Sequence, residues 1–188
     1  FGSLSIISVL PNDKDNILVS LYPWKRRDGG VRPIIYKMQL TTGNFGKVTV
    51  GPGRGAQIMS NIDGSMLGAI VPTANQGSDY YYYDRLAENS AWKSISIDFP
   101  GKFTALKMSN GGDFLYGLTQ LEDGINAGQH LVKMSAETGG YESVFDFGFV
   151  SQINVSFDRE DGHPVYARWV DDKPEMKVFK KNHNRAKV

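Results

Sequence analysis

Hydrophobic and polar residues alternate in short runs along the whole chain. Ser96 separates Ile95 from Ile97, and Val132 and Met134 alternate with polar neighbours in a later run. Alternation with a period of two is typical of strands that bury one face, and long stretches with helical spacing are hard to find. The pattern therefore predicts an all-β protein.

The apolar runs repeat about every 48 residues. Taking Leu18, Leu67, Leu115 and Tyr166 as equivalent positions gives spacings of 49, 48 and 51 residues. Each of these runs follows a turn rich in Asp, Asn and Gly, the residues that favour hairpin connections. Four runs in each repeat indicate the four antiparallel strands of a β-propeller blade.

The repeat predicts three complete blades and a fourth with only three strands. The complete blades are expected at about 5–51, 56–98 and 103–148, and the incomplete one at 150–188, which makes residues 1–188 a partial β-propeller domain of about 3.75 blades. A two-sheet sandwich is the alternative, but it would not require the period. Either residues 1–5 complete a four-bladed ring, or the chain is a fragment whose open blade faces pair with further blades or with another copy. We prefer the fragment.

Composition narrows the range of functions. The 188 residues include 21 Lys and Arg against 20 Asp and Glu, for a formal net charge of +1. This balance argues against a nucleic-acid partner, because proteins that bind the phosphate backbone carry concentrated basic surfaces. The absence of Cys removes disulfides and thiol nucleophiles. No apolar run approaches the roughly 20 residues that a membrane-spanning helix needs.

The sequence contains no recognisable catalytic or metal-binding motif. It lacks both the Gly-x-Ser-x-Gly elbow of serine hydrolases and a phosphate loop ending in Gly-Lys-Ser/Thr. The glycine-rich segment 51–55 is interpreted as a linker, with an anion cradle as the alternative. The turn at 158–162 lacks the downstream Glu of a calcium loop, and the three His residues are not at metal-ligand spacing: His130, His163 and His183. We predict no catalytic residue, metal or cofactor.

Two segments are candidates for contact with a substrate or another domain. Four consecutive tyrosines would place two rings on each side of a strand, and we expect them to serve core and flank packing. The alternative is an aromatic contact surface, for which Tyr81 and Tyr83 are the candidates. The hairpin loop 120–128 is long, and long loops often carry function, which makes Glu122 and Asp123 the other candidates.

Two blade segments carry a family resemblance. Residues 59–67 and 108–115 resemble the Ser-Pro-Asp-Gly-type motif in propellers of the prolyl oligopeptidase family of serine peptidases, which includes acylaminoacyl and dipeptidyl peptidases, and in Tol-system propellers. Residues 6–20 look like the middle of the propeller in exported bacterial members of that peptidase family. The resemblance covers essentially the whole chain through motifs at the level of single blades.

The resemblance implies a seven- or eight-bladed propeller that caps an α/β-hydrolase domain and admits only short or unfolded peptides to its Ser-Asp-His triad. This chain would be a non-catalytic segment of such a peptidase, with the hydrolase domain of the same parent chain and peptide substrates as partners. The implied location is periplasmic or secreted, with the cytoplasm as the alternative. A stand-alone propeller that binds protein or glycan is the second hypothesis, and a small propeller glycosidase or lyase ranks last.

Overall fold

The computed structural model describes residues 2–24, 31–73, 78–96, 103–121 and 128–180. All regular secondary structure in these ranges is β-strand. No helix in the described part of the chain is long and apolar enough to span a membrane. The strands are β1 (Gly2–Ser8), β2 (Asn16–Pro23), β3 (Ile34–Gln39), β4 (Phe45–Val50), β5 (Gln57–Ser60), β6 (Met66–Pro72), β7 (Ser78–Asp84), β8 (Lys93–Ile95), β9 (Thr104–Met108), β10 (Phe114–Gln120), β11 (Gln129–Ser135), β12 (Tyr141–Asp146), β13 (Ile153–Phe157), β14 (Pro164–Val170) and β15 (Pro174–Val178).

These strands form four antiparallel sheets in the order of the sequence. Strands β1–β4, β5–β8 and β9–β12 make three four-stranded sheets, and β13–β15 make a three-stranded one. The predicted fold class is confirmed, since the described residues hold three complete blades and one incomplete blade. The assignment of all residues 1–188 to one propeller domain stays a prediction.

The chain divides into two compact units. The first unit contains Phe1–Ile97 with Ala136–Gly139, and the second contains Asp98–Ser135 with Gly140–Val188. Sheets β1–β4 and β5–β8 belong to the first unit, whereas β9–β12 and β13–β15 belong to the second, apart from the short segment 136–139. Each unit thus pairs two blades.

Aliphatic side chains build the core between the two sheets of the first unit. Leu18 on β2 and Leu67 on β6 are fully buried there, in a cluster completed by Leu10, Ile35 and Tyr83. Because Leu18 and Leu67 enter one core from facing sheets, they lie on opposite faces of their own blades. Their alignment as equivalent positions is therefore wrong. The β1–β2 connection is longer than the β5–β6 connection and β1 carries a bulge, which displaces the first repeat.

Aromatic rings dominate the corresponding core of the second unit. Leu131, Phe147 and Ala167 are its buried residues. The Trp169 ring lies 5.1 Å from the Phe147 ring and 5.6 Å from the Phe145 ring, measured between centroids. Tilted and edge-on contacts at such distances add to the free energy gained by burial of the rings.

The glycine-rich segment 51–55 connects β4 to β5, as expected of a linker. Its backbone is tied to the residues before β3: the N–H of Gly51 donates to the Pro33 carbonyl at 2.7 Å, and the N–H of Gly55 to the Val31 carbonyl at 3.3 Å. The Arg32 side chain donates to the Gly51 carbonyl at 2.6 Å. The linker thus forms a closed turn at the end of the first blade.

Candidate functional site

The four residues predicted to make contacts occupy different environments. Tyr83 is only 8% exposed, and its ring lies 5.1 Å from the Trp92 ring in the core of the first unit. Tyr81 lies on the same face of β7 and is half-buried. Glu122 and Asp123 lie outside the described residues. The contact role of these four residues stays a prediction. Tyr81 is more accessible than Tyr83.

The other face of β7 also buries a ring. Tyr80 is fully buried, and its hydroxyl has no hydrogen-bond partner among the described residues. Burial, with a smaller contribution from Tyr82, raises the pKa of the Tyr80 hydroxyl above its usual range, so this group stays neutral. Two of the four tyrosines therefore serve packing, one on each face of the strand.

A cleft of about 510 Å³ lies in the second unit, where several strand ends converge. Strand β9 begins, β10 ends and β11 begins at this end of the antiparallel sheet, and the connection from β12 to β13 passes beside them. We call it the neutral cleft, lined by Thr104, Leu118, Gln120, Gln129, Phe149, Val150, Ser151 and Ile153.

The neutral cleft combines amide, hydroxyl and apolar groups, and none of its lining side chains among the described residues is charged. Gln120 and Gln129 are directly opposite each other in the β10–β11 register. Phe149 is 71% exposed. The apolar lining residues Leu118 and Ile153 also pack against the core of the second unit, so the floor of the cleft is backed by packed side chains.

Backbone hydrogen bonds hold the connection beside the neutral cleft. The N–H of Gln129 donates to the Gly148 carbonyl at 2.8 Å, and the N–H of Phe147 donates to the Gln129 carbonyl at 2.9 Å. The N–H of Val150 bonds to the same Gly148 carbonyl at 3.1 Å. The connection is thereby tied to β11, which fixes the position of the neighbouring Phe149.

Sequence reasoning found part of the neutral cleft. Gln120 is the first residue of the loop singled out for its length, and it lines the cleft. Phe149 was missed, although an aromatic residue in a short connection directly after a glycine, Gly148, was a usable signal. The contributions of Leu118 and Val150 depend on tertiary packing and carry no such signal.

A second polar cluster lies at the opposite end of β10, where hairpins of the third and fourth blades meet. The Lys180 ammonium is 2.7 Å from Asp158 Oδ2 and 2.8 Å from Asp161 Oδ2. Partial burial acts to raise the pKa of Asp161, but hydrogen bonds from Lys180 and from the backbone N–H of His163 outweigh it and lower that pKa. Because the ammonium bridges the two carboxylates, this turn functions as a structural clamp, and the calcium alternative gains no support.

Tyr116 adds a partly buried hydrogen bond to the same cluster. Its hydroxyl bonds to Nδ1 of His163, and its ring lies 5.7 Å from that of Phe157. Burial raises the pKa of Tyr116 to about 12, with Asp161 and Glu142 adding to the effect. The phenol is therefore neutral at physiological pH.

The described histidines do not share a site. His163 packs with Tyr116, whereas Nδ1 of His130 lies 3.1 Å from the Ser143 hydroxyl and its Nε2 lies 3.7 Å from Asp146 Oδ1. Within the described ranges, no three His, Cys, Asp or Glu side chains are grouped so as to hold a metal ion. His183 lies outside those ranges.

Solved structures provide the link to known proteins. No protein-family profile matches the chain, and no curated protein matches it in sequence. TolB from Acinetobacter baumannii matches over 95% of this chain and 41% of its own, with a TM-score of 0.56 and 15% identity. Prolyl oligopeptidase B from Galerina marginata, bound to a 25mer macrocyclization substrate, matches over 94% of this chain and 26% of its own, with a TM-score of 0.52 and 14% identity.

The chain therefore spans less than half the length of either of these proteins. At such sequence identities the likeness shows the fold. The four antiparallel sheets of this chain are blades of a β-propeller.

Proposed function

We propose that this chain is a non-catalytic propeller segment of a prolyl-oligopeptidase-like serine peptidase. It restricts and guides the access of peptides to a hydrolase domain encoded elsewhere in the parent chain. The observation that carries the proposal is the match to prolyl oligopeptidase B over 94% of this chain, in a structure that holds a peptide substrate. The blade motifs at 59–67 and 108–115, which resemble those of the same family, agree with it.

The proposed mechanism is steric. Antiparallel sheets satisfy their backbone hydrogen bonds internally, and the buried cores between paired sheets keep each unit rigid. A rigid wall excludes a folded protein, whereas an extended peptide passes and binds in small clefts along it. The parent propeller would have seven or eight blades and be periplasmic or secreted, as the resemblance to exported family members suggests.

The gene beyond the codon for Val188 provides the first test. The proposal expects a Gly-x-Ser-x-Gly elbow followed by Asp and His. The complete gene product should then cleave short chromogenic peptides at least tenfold faster than the same peptide sequence displayed within a folded protein. Replacing the elbow serine by alanine is the control and should abolish turnover.

Residues 1–188 should not hydrolyse peptides by themselves. Incubation of the 188-residue chain with the same chromogenic substrates is expected to release no chromophore. Turnover that depends on a Ser-His-Asp set within this chain would contradict the proposal directly.

A stand-alone propeller that binds protein or glycan without catalysis is the second candidate. The blade motifs at 59–67 and 108–115 also resemble those of Tol-system propellers, and the TolB match favours this candidate. That structure aligns over 95% of this chain with a higher TM-score than prolyl oligopeptidase B. A reading frame that ends without hydrolase motifs supports this candidate and contradicts the peptidase proposal.

Self-association through open blade faces is a further part of the proposal. Leu4 is 47% exposed and Ile6 63% exposed on β1. Apolar side chains so exposed on one strand support pairing with a second copy. Ile6→Lys should shift the sedimentation coefficient toward that of a monomer, and Leu86→Lys, at an 81% exposed position, should leave it unchanged.

A further inference from the structure

We infer that the neutral cleft of the second unit is a subsite for an uncharged, extended peptide segment that carries one large apolar side chain. The inference rests on the proposed function, because it names the chemistry of the peptides that this propeller handles. It depends on three properties of the cleft: its amide pair, its lack of charge and its apolar floor.

The amide pair suits a peptide backbone. Each glutamine amide offers a carbonyl acceptor and an N–H donor, the two functions that a peptide group needs. Gln120 and Gln129 are cross-strand partners, and partners in such positions have Cβ atoms about 5 Å apart. Two amides this close can bond to successive peptide groups of an extended segment. The hydroxyls of Thr104 and Ser151 add further partners within the same lining.

The lack of charge selects against ionic ligands. None of the eight lining residues in the described part of the chain carries a charge. Transfer of an ion into a site without a counter-charge is unfavourable, because hydration is lost and no ion pair replaces it. A segment with Asp, Glu, Lys or Arg at the bound position should therefore bind more weakly than a neutral one.

The apolar floor and Phe149 suit a large hydrophobic side chain. Leu118, Val150 and Ile153 contribute apolar surface, and Phe149 is 71% exposed. A ligand side chain that covers Phe149 removes apolar area from water on both partners. The cleft volume of about 510 Å³ falls within the range of roughly 300–1,000 Å³ typical of small-ligand sites.

A larger groove of the second unit adjoins the neutral cleft, with which it shares Ser151 and Ile153. It has a volume of about 790 Å³ on the three-stranded sheet, and its lining includes the charged residues Arg168 and Glu175. Arg168 lines this groove but is not among the residues that line the neutral cleft, so Arg168→Ala is a control for the part of the groove outside the cleft.

Photo-crosslinking tests the inference on the full chain. The probe is N-acetyl-Ala-(p-benzoyl-Phe)-Ala-amide, which is neutral and carries one large apolar group. After irradiation and trypsin digestion, the label is expected on the fragment 134–159, which contains Phe149 and Ser151. N-acetyl-Ala-Phe-Ala-amide should compete for labelling, and N-acetyl-Asp-Phe-Asp-amide should need a concentration at least tenfold higher.

Two variants of the neutral cleft should reduce labelling. Phe149→Ala removes an exposed ring and is expected to weaken competition by the neutral peptide about 30-fold, the lower end of the range for an aromatic hot spot. Ser151→Asp, at another exposed position, introduces a charge without adding a trypsin site and should abolish labelling of 134–159. Leu86→Ala and Arg168→Ala are the controls, and each should change labelling less than twofold.

Several outcomes overturn the inference. Labelling spread over other fragments would overturn it, and so would equal competition by the charged peptide. Unchanged competition in both cleft variants would also overturn it, once circular dichroism has verified that these variants are folded. Specific labelling of 134–159 in a gene product without a hydrolase domain supports the inference while the peptidase proposal fails. Peptidase activity without labelling of the cleft leaves the peptidase proposal standing and refutes the inference alone.

Discussion

The two units solve the same packing problem in chemically different ways. In the first unit, the side chains of Leu10 and Leu18 surround Gly64 in the hairpin of the neighbouring blade. In the second unit, the Asn110 backbone N–H donates to the Asp161 carbonyl at 3.1 Å, beside Gly162. One hairpin contact is apolar and the other is hydrogen-bonded. The repeat therefore requires that adjacent hairpins touch, but not a particular chemistry of contact.

The difference begins inside the hairpins. The Asn61 side-chain oxygen accepts from the Met66 N–H at 3.1 Å, so this amide closes its own turn. In the third blade the Ser109 hydroxyl accepts from the Phe114 N–H at 3.0 Å. The next residue, Asn110, is then available to donate to the Arg159 carbonyl of the neighbouring hairpin at 2.8 Å.

The largest expected effect breaks the apolar contact of the first unit. Leu18 is fully buried, and Leu18→Ala should lower the free energy of unfolding by about 2–5 kcal/mol, the range for truncation of a buried leucine. Urea unfolding measures the loss, and hydrogen-exchange mass spectrometry should locate it in β1–β8. Leu4→Ala, at a 47% exposed position, is the control. Equal losses in the two variants would show that the core assignment is wrong.

Glycine substitutions compare the two hairpin contacts directly. Gly162 and Gly64 have φ of 74° and 71°, where any L side chain costs about 1–2 kcal/mol. A Cβ on Gly162 would lie 2.8 Å from the Asn110 backbone nitrogen, whereas on Gly64 it would meet the ends of two leucine side chains, which can move. Gly162→Ala should therefore cost about 3 kcal/mol and Gly64→Ala about 2 kcal/mol, once overpacking is added.

Two other glycines isolate the backbone contribution. Gly43 and Gly148 both have φ of 70°, and a Cβ at either position would meet nothing within 4 Å. Their alanine variants should show the φ cost alone in urea unfolding. A Gly162→Ala loss no greater than that of Gly148→Ala would exclude the close approach of Asn110.

A pair of buried tyrosines provides a smaller contrast. Tyr116→Phe removes the hydrogen bond to His163 and should cost about 1 kcal/mol, whereas Tyr80→Phe removes a hydroxyl without a partner among the described residues and should be neutral or stabilising. Burial raises the pKa of Tyr116 from 10.0 to about 12, so the folded state holds the phenol proton more tightly than the unfolded state does. The contribution of Tyr116 to folding stability is therefore complete below pH 10 and is lost as the pH rises from 10 to about 12. Tyr116→Phe should flatten that part of the alkaline stability profile, and destabilisation by Tyr80→Phe would be contrary to expectation.

The ion pairs that Lys180 makes in the second unit provide a comparison that depends on pH. The Lys180 side chain is 44% exposed, and its pair with the 38% exposed Asp161 side chain is screened by solvent. The Asp158 side chain is only 4% exposed, so Lys180→Met removes the ammonium from beside a buried carboxylate and should destabilise the fold at neutral pH. Because Lys180 lowers the Asp161 pKa below 3.8, this contribution is present above that pH and is lost as the pH falls through the lower folded value. The stability difference from wild type should shrink between pH 6 and pH 2. Lys173→Met, at a 79% exposed side chain, is the control, and a difference that persists at pH 2 would contradict this assignment.

Local pattern predicted the strands well. The run 129–135 agrees with β11, and the turns rich in Asp, Asn and Gly separate the first two strands of each sheet. These features are local, because alternation determines which residues can share a sheet face and turn residues determine where the strand reverses. Local pattern did not predict which neighbouring sheet each strand face packs against, as the incorrect equivalence of Leu18 and Leu67 shows.

The sequence by itself determined that this chain forms a series of antiparallel blades, because strand alternation, turn chemistry and repeat length are encoded within each repeat. Only the tertiary structure decided that Tyr83 is buried and that Leu118, Gln129 and Phe149 line one cleft. These residues are distant in sequence, and they meet because antiparallel strand ends converge and because neighbouring sheets bury facing side chains. Which side chains meet between neighbouring sheets depends on the bulges and connection lengths of the folded chain.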